Sequence, residues 1–304
     1  MKILITGSNG LLGQKLVHLL KNDPEVDLIA TARGENRLNS KEAYRYRSMD
    51  ISNLQNVLEV FEAEKPDAVI HTAAMTHVDV CEDDKEGCLK LNVEAVQYIL
   101  AACSTYSCHL THLSTDFIFD GSKGPLTEEE EPRPVSFYGE SKLRAEQLIQ
   151  ASTVPHAILR TVLVYGVAEN MSRSNIVLWA KGALEKGDPI KVVDDQYRSP
   201  TLAEDLAQGC SLAAKAKAQG VYNISGPDFY SIIDMVREIA RFWKLDESLI
   251  NPLSSAELNQ TAARPPKTGF IIDKAINELG YKPHSFKEGL SLVDEQITKE
   301  SGLN

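Results

Sequence analysis

The chain has 304 residues, 43% hydrophobic and 25% charged, with 18 Gly and 13 Pro spread along it. That composition excludes disordered, collagen-like and low-complexity proteins, and a chain of this length buries roughly three quarters of its unfolded surface. A net charge of -11, from 32 Lys+Arg against 43 Asp+Glu, argues against non-specific binding to nucleic-acid polymers or anionic membranes.

No apolar run approaches the roughly 18 residues of a membrane span, and the opening segment lacks the pattern of a signal peptide. The five cysteines are odd in number and form no CxxC pair. The expectation is a cytoplasmic protein with reduced, mostly structural thiols.

Up to about residue 160, short apolar runs alternate with amphipathic stretches. Runs at 2–6, 28–30, 68–70, 109–114 and 157–159 read as buried parallel strands. Helices are expected over 11–21, 52–64, 88–104 and 136–151; Leu12, Leu16, Leu19 and Leu20 form one stripe, as do Leu54, Val57, Leu58 and Phe61. Strand and helix in alternation predict an α/β protein with a Rossmann-type, doubly wound parallel sheet. Further on, helices near 174–186, 201–216, 231–243 and 286–299 and strands at 190–193 and 221–224 suggest a smaller mixed α/β lobe. The expected division is 1–165 for the dinucleotide-binding domain and 166–304 for a substrate lobe, with segments near 190–225 returning to the sheet. The acidic tract Glu128–Glu131 reads as a solvated loop, and Asp194-Asp195 as a solvated turn rather than a carboxylate pair.

Gly7-Ser8-Asn9-Gly10-Leu11-Leu12-Gly13 follows the first strand and opens the first helix. Gly7 would permit the tight turn, Gly10 would let backbone approach a pyrophosphate, and Gly13 would allow close helix–strand packing. The helix N-terminus, with Leu11 and Leu12, would then face the anion. An NAD site usually carries an acid roughly twenty residues beyond the glycines, but the strand end here reads Thr31-Ala32-Arg33. Arg33 could hold a ribose 2′-phosphate, which favours NADPH with NADH as the alternative, or it is a plain surface arginine. Asp50 and Ile51, after the third strand, are candidates for adenine contacts.

Tyr138 and Lys142 stand four apart in a predicted helix and so share a face. A phenol titrates near 10, and a neighbouring cation favours the phenolate, so Lys142 is expected to lower the Tyr138 pKa and make it a usable acid. Ser114-Thr115-Asp116 ends the preceding strand, where ligands bind in open parallel sheets, and a Thr115 hydroxyl there can polarise a carbonyl oxygen. His109 and His112 point to opposite faces of a strand, so no metal site is expected. His71 and His77 lie near the expected cofactor edge, yet as single histidines in loops they read as polar surface.

These residues resemble the dTDP-4-dehydrorhamnose reductase family of extended short-chain dehydrogenase/reductases. The likeness runs nearly end to end: Thr6-Gly7 to Gly13, Pro66 to Ala74, Thr76-His77-Val78-Asp79 with Glu82, Ser114 to Gly121, Tyr138 to Lys142, Leu159-Arg160-Thr161, Val164-Tyr165-Gly166, Asp195 to Thr201, and Ala263-Arg264-Pro265. The resemblance implies reduction of the 4-keto group of a dTDP-6-deoxy-hexulose, with Thr115, Tyr138 and Lys142 catalytic. It adds Ala73, Ala74 and Met75 on the nicotinamide side, and Thr76, Val78, Asp116 and Phe117 near the sugar. Arg264 is a candidate for the diphosphate, and Asn175 either touches the sugar or caps a helix. From the superfamily, a homodimer through surface helices is expected.

Related nucleotide-sugar dehydratases carry Glu where this chain has Phe117, and epimerases have a pattern that Phe119-Asp120-Gly121 does not follow. Many rhamnose-pathway reductases have Trp where Leu163 stands. Loss of that aromatic wall changes the pocket, unless Leu163 simply fills core, and it brings the chain nearer the methionine adenosyltransferase β subunit. That relative implies a different class, a cofactor-binding regulatory subunit without turnover. Reduction of another nucleotide-linked ketosugar is the third reading.

Overall fold

The structure, a computed structural model, describes residues 1–170, 174–258, 260–300 and 302. The first part of the chain contains β1 (Lys2–Thr6), α1 (Leu11–Leu20), β2 (Asp27–Ala32), β3 (Arg45–Ser48), α2 (Leu54–Glu64), β4 (Ala68–His71), α3 (Val78–Asp83), α4 (Lys85–Leu89), α5 (Ala95–Tyr106), β5 (His109–Thr115), α6 (Phe137–Gln150) and β6 (His156–Thr161). The second contains β7 (Val164–Tyr165), α7 (Ile176–Glu185), β8 (Ile190–Val193), β9 (Tyr197–Arg198), β10 (Thr201–Leu202), α8 (Ala203–Ala216), β11 (Gly220–Asn223), β12 (Tyr230–Ser231), α9 (Ile232–Trp243), β13 (Ile250–Leu253), β14 (Lys267–Thr268) and α10 (Phe286–Glu300).

Seven strands form a parallel sheet in the order β11-β6-β5-β4-β1-β2-β3. Strand order reverses between β1 and β4, which opens a crevice at their carboxyl ends. Alternate residues feed two cores: Ile3, Ile5, Ile70 and Leu159 pack with Leu16 and Leu206, whereas Leu4, Val69 and Ile158 pack with Phe61, Ile99 and Ile149. With helices on both faces, all seven residues of β5 are buried. A third core, including Val177, Ile233, Val236, Ile239 and Leu290, forms the smaller lobe. There β8 pairs with β13 instead of joining the sheet. No helix among the described residues is long and apolar enough to cross a membrane.

The helix expected over 88–104 is interrupted. Asp84 caps α4 by accepting from the Gly87 amide, and a π-helical turn over Lys90–Glu94 precedes α5. This turn contains the buried Asn92, which donates to Met75 O and Ser141 Oγ. The acidic tract is not simply solvated either. Glu128 Oε1 accepts from the Asn223 amide at 2.8 Å, covering an edge-strand donor, and its carbonyl accepts from Arg160 at 3.0 Å. Asp195 Oδ2 likewise accepts from the Ser255 amide and hydroxyl, so it ties two loops together.

Candidate active site

A cleft of about 910 Å³ runs along the carboxyl ends of the central strands, between sheet and smaller lobe. The glycine turn forms one wall. Gly7 has φ +71°, and a Cβ there would lie 2.8 Å from Thr72 Oγ1. At Gly13 a Cβ would come within 2.2 Å of Gly7 O, so the turn closes on itself only without side chains. Gly10 caps α1 with no side chain, which leaves the amides of Leu11 and Leu12 at the cleft. The cradle fits the pyrophosphate of a dinucleotide: it has room for an oxygen-rich group and a helix N-terminus behind it.

Arg33 and Asp50 line the far end. Asp50 Oδ1 accepts from Ser52 N and Oγ, and these bonds hold its carboxyl below the usual range. A neighbouring hollow of about 620 Å³ also contains Arg33, now joined by Arg37 and Lys41, cations that motif reading passed over.

At the other end Tyr138, Thr115, Asp116 and Lys142 are all buried. Burial pushes the Tyr138 phenol well above its ordinary pKa, the Thr115 hydroxyl opposes this, and the Asp116 charge adds to it. Burial pushes Lys142 down to about 8. Its ammonium donates to Leu113 O at 2.6 Å and lies 3.2 Å from His112 Nε2. The expectation that Lys142 lowers the Tyr138 pKa is therefore corrected: burial of the phenol raises it, and the ammonium is bound to β5.

Thr115 Oγ1 donates to Asp116 Oδ1 at 3.1 Å and accepts from Phe117 N at 3.2 Å. A hydroxyl has one hydrogen, which rotates to suit, so Thr115 can serve Asp116 or the Tyr138 oxygen one at a time. Asp116 Oδ2 accepts from Thr268, and Arg198 Nε lies 3.6 Å away. Burial pushes the Asp116 carboxyl up, against the Arg198 charge. Arg198 is itself bound to the carbonyls of Tyr197, Pro265 and Pro266. Nothing in the motif pattern singled it out.

Ala73, Ala74, Thr76, Val78, Phe117, Ile51, Leu163, Asn175 and Arg264 also line the cleft. Met75 does not; it packs with Cys81, Cys88 and Tyr138 behind the wall. Arg264 is engaged by Asp79 through two bonds, at 2.7 and 3.1 Å, so its fork meets a carboxylate of α3. Asn175 is the N-cap of α7, accepting from Val177 and Leu178 amides and donating to Gly166 O. Leu163 has φ +44° and packs on two cores while facing the cleft. His71, expected at the surface near the cofactor edge, is buried at the end of β4 and lines the cleft, as does His77, which caps α3.

A parallel sheet with a glycine cradle at its switch point and a buried Tyr–Lys pair opposite defines a short-chain dehydrogenase/reductase, a Rossmann-fold oxidoreductase. The family model described as the RmlD substrate binding domain matches residues 1–298, and the chain belongs to that family. It is similar to a dTDP-4-dehydrorhamnose reductase structure from Clostridium acetobutylicum, with TM-score 0.86 and 30% identity over 98% of this chain and 100% of that one. A dTDP-4-dehydrorhamnose reductase from Bacillus anthracis in complex with NADP gives TM-score 0.83 and 26% identity, covering 97% and 99%. Methionine adenosyltransferase 2 subunit beta of Danio rerio is 28% identical over 269 residues, 87% of this chain and 80% of that protein.

Proposed function

We propose that the protein is an NADPH-preferring reductase of the 4-keto group of a dTDP-4-keto-6-deoxy sugar. The observation that carries this reading is the buried Tyr138 phenol beside Thr115, facing a cleft whose other end is a pyrophosphate cradle. Two solved relatives named as dTDP-4-dehydrorhamnose reductases, one with NADP, support it. When bound, the nicotinamide supplies the hydride for the carbonyl carbon.

The chain's own residues handle the proton. With its pKa raised, Tyr138 stays protonated at neutral pH and donates its proton to the keto oxygen. Thr115 lies beside the Tyr138 hydroxyl and opposes the rise in its pKa, so its hydroxyl favours the phenolate that forms as the proton leaves. Lys142 places a positive charge near the developing phenolate and offers its one remaining ammonium hydrogen to a ribose hydroxyl. Arg33 meets the 2′-phosphate. Ala73 and Ala74 leave room for the nicotinamide, and Thr76, Val78, Phe117 and Leu163 border the sugar.

A second reading, a cofactor-binding regulatory subunit, is favoured by Leu163 and by the likeness to the Danio rerio β subunit. Nicotinamide oxidation with the ketosugar separates the two. Turnover that depends on Tyr138 supports the reductase, whereas tight NADPH binding without turnover supports the subunit.

A further inference from the structure

Three strands bring a polar ladder to one level of the sheet: Thr6 of β1 pairs in register with His71 of β4, which pairs with His112 of β5. The two imidazoles stack with centroids 5.4 Å apart, and both are buried. Lys142 comes down on His112 from α6, 3.2 Å from Nε2. We propose that His112 is a positioning residue for Lys142, with its tautomer set by that contact and His71 packed behind it; the proposal rests on the reductase reading.

Thr6 Oγ1 accepts from the amides of Thr72 and Ala73, both at 3.2 Å, so its hydrogen points to His71 Nδ1 at 2.7 Å. An ammonium can only donate, so His112 Nε2 must be the unprotonated nitrogen. Both rings are thereby neutral, and burial holds both pKa values low. Lys142 has two fixed acceptors in β5, the Leu113 carbonyl and His112 Nε2, and these fix where its charge lies relative to Tyr138 one turn away. The other ionisable groups near the ammonium are Glu146 on its own helix, bidentate to Arg160 of β6, and Cys88 of α4. Neither replaces an acceptor in β5.

Two substitutions separate position from polarity. In His112→Gln the amide oxygen reaches about where Nε2 stood; in His112→Asn it stops near Nδ1. The Lys142 ammonium is titrated in the full-length, cofactor-free protein by NMR of nitrogen-labelled lysine, with Lys142→Met assigning the signal. Losing an acceptor disfavours the charged form, so His112→Asn should titrate about one pH unit lower than wild type, while His112→Gln stays close to it. In the reductase assay His112→Asn should lose about tenfold or more in kcat with its alkaline limb moved down, and His112→Gln should keep most activity. Equal titration and equal pH profiles in the two variants would overturn the proposal. The titration needs no turnover, so failure of the reductase reading leaves it readable, and thermal melts of both variants register any loss of fold.

Discussion

Lys142 lies one helical turn beyond Tyr138 on α6, yet burial moves their proton affinities in opposite directions, Lys142 down to about 8 and Tyr138 up. The first of the two to titrate on raising pH is therefore the lysine. In a reduction that needs both a phenol and a nearby cation, the alkaline limb belongs to Lys142.

The profile of kcat/KM for ketosugar reduction should accordingly be flat through neutrality with respect to these groups and fall above about pH 8. The sign follows from the direction of the shift: as pH rises through the lowered lysine value the ammonium is lost, while Tyr138 keeps its proton. A profile flat to about pH 10, the ordinary range of lysine and phenol alike, would contradict a lowered Lys142.

Arg33 lines both the cleft and the adjoining basic hollow. Arg33→Ala should raise KM for NADPH by about tenfold, the scale of one exposed charge-assisted contact, and leave KM for NADH nearly unchanged. Initial rates with the two cofactors check this; equal losses for both would remove Arg33 from 2′-phosphate recognition.

Asp79 and Arg264 tie α3 to the segment before β14, with side chains 27% and 18% exposed. A double-mutant cycle with Asp79→Asn and Arg264→Met should give a coupling energy of about 1 kcal/mol in urea unfolding. If Arg264 also serves substrate, Asp79→Asn should change KM for the sugar nucleotide more than kcat.

The sheet and cradle were legible because their causes are local. Apolar runs must be buried on both faces, and Gly7 and Gly13 stand where a Cβ would collide. Tyr138 and Lys142 were legible from helical spacing, but their electrostatics were not, since desolvation depends on what covers α6. Arg198 escaped notice because its partners lie far away in sequence, at Asp116 and at the Pro265 and Pro266 carbonyls. The stacking of His71 on His112 was not legible for the same reason: their common level exists only once β4 and β5 are in register. The polar strand β3, Arg45-Tyr46-Arg47-Ser48, shows no apolar run; both arginines grip Glu64 of α2.

Arg160 and Glu146 form a bidentate pair with side chains 4% and 1% exposed. Arg160→Met should cost about 3–5 kcal/mol, because it leaves a buried carboxylate unpaired. Adding Glu146→Leu should recover much of that loss, as measured by denaturant midpoints at equal m-values.

The most direct measurement is NADPH oxidation with dTDP-4-keto-6-deoxy-hexulose generated in the same tube, run on wild type and Tyr138→Phe. Wild type should turn over, and the variant should lose about 10²–10⁴-fold in kcat while still binding NADPH. Turnover by Tyr138→Phe at the wild-type rate would contradict Tyr138 as the proton donor. Tight NADPH binding by a wild type that reduces nothing would contradict the reductase reading itself.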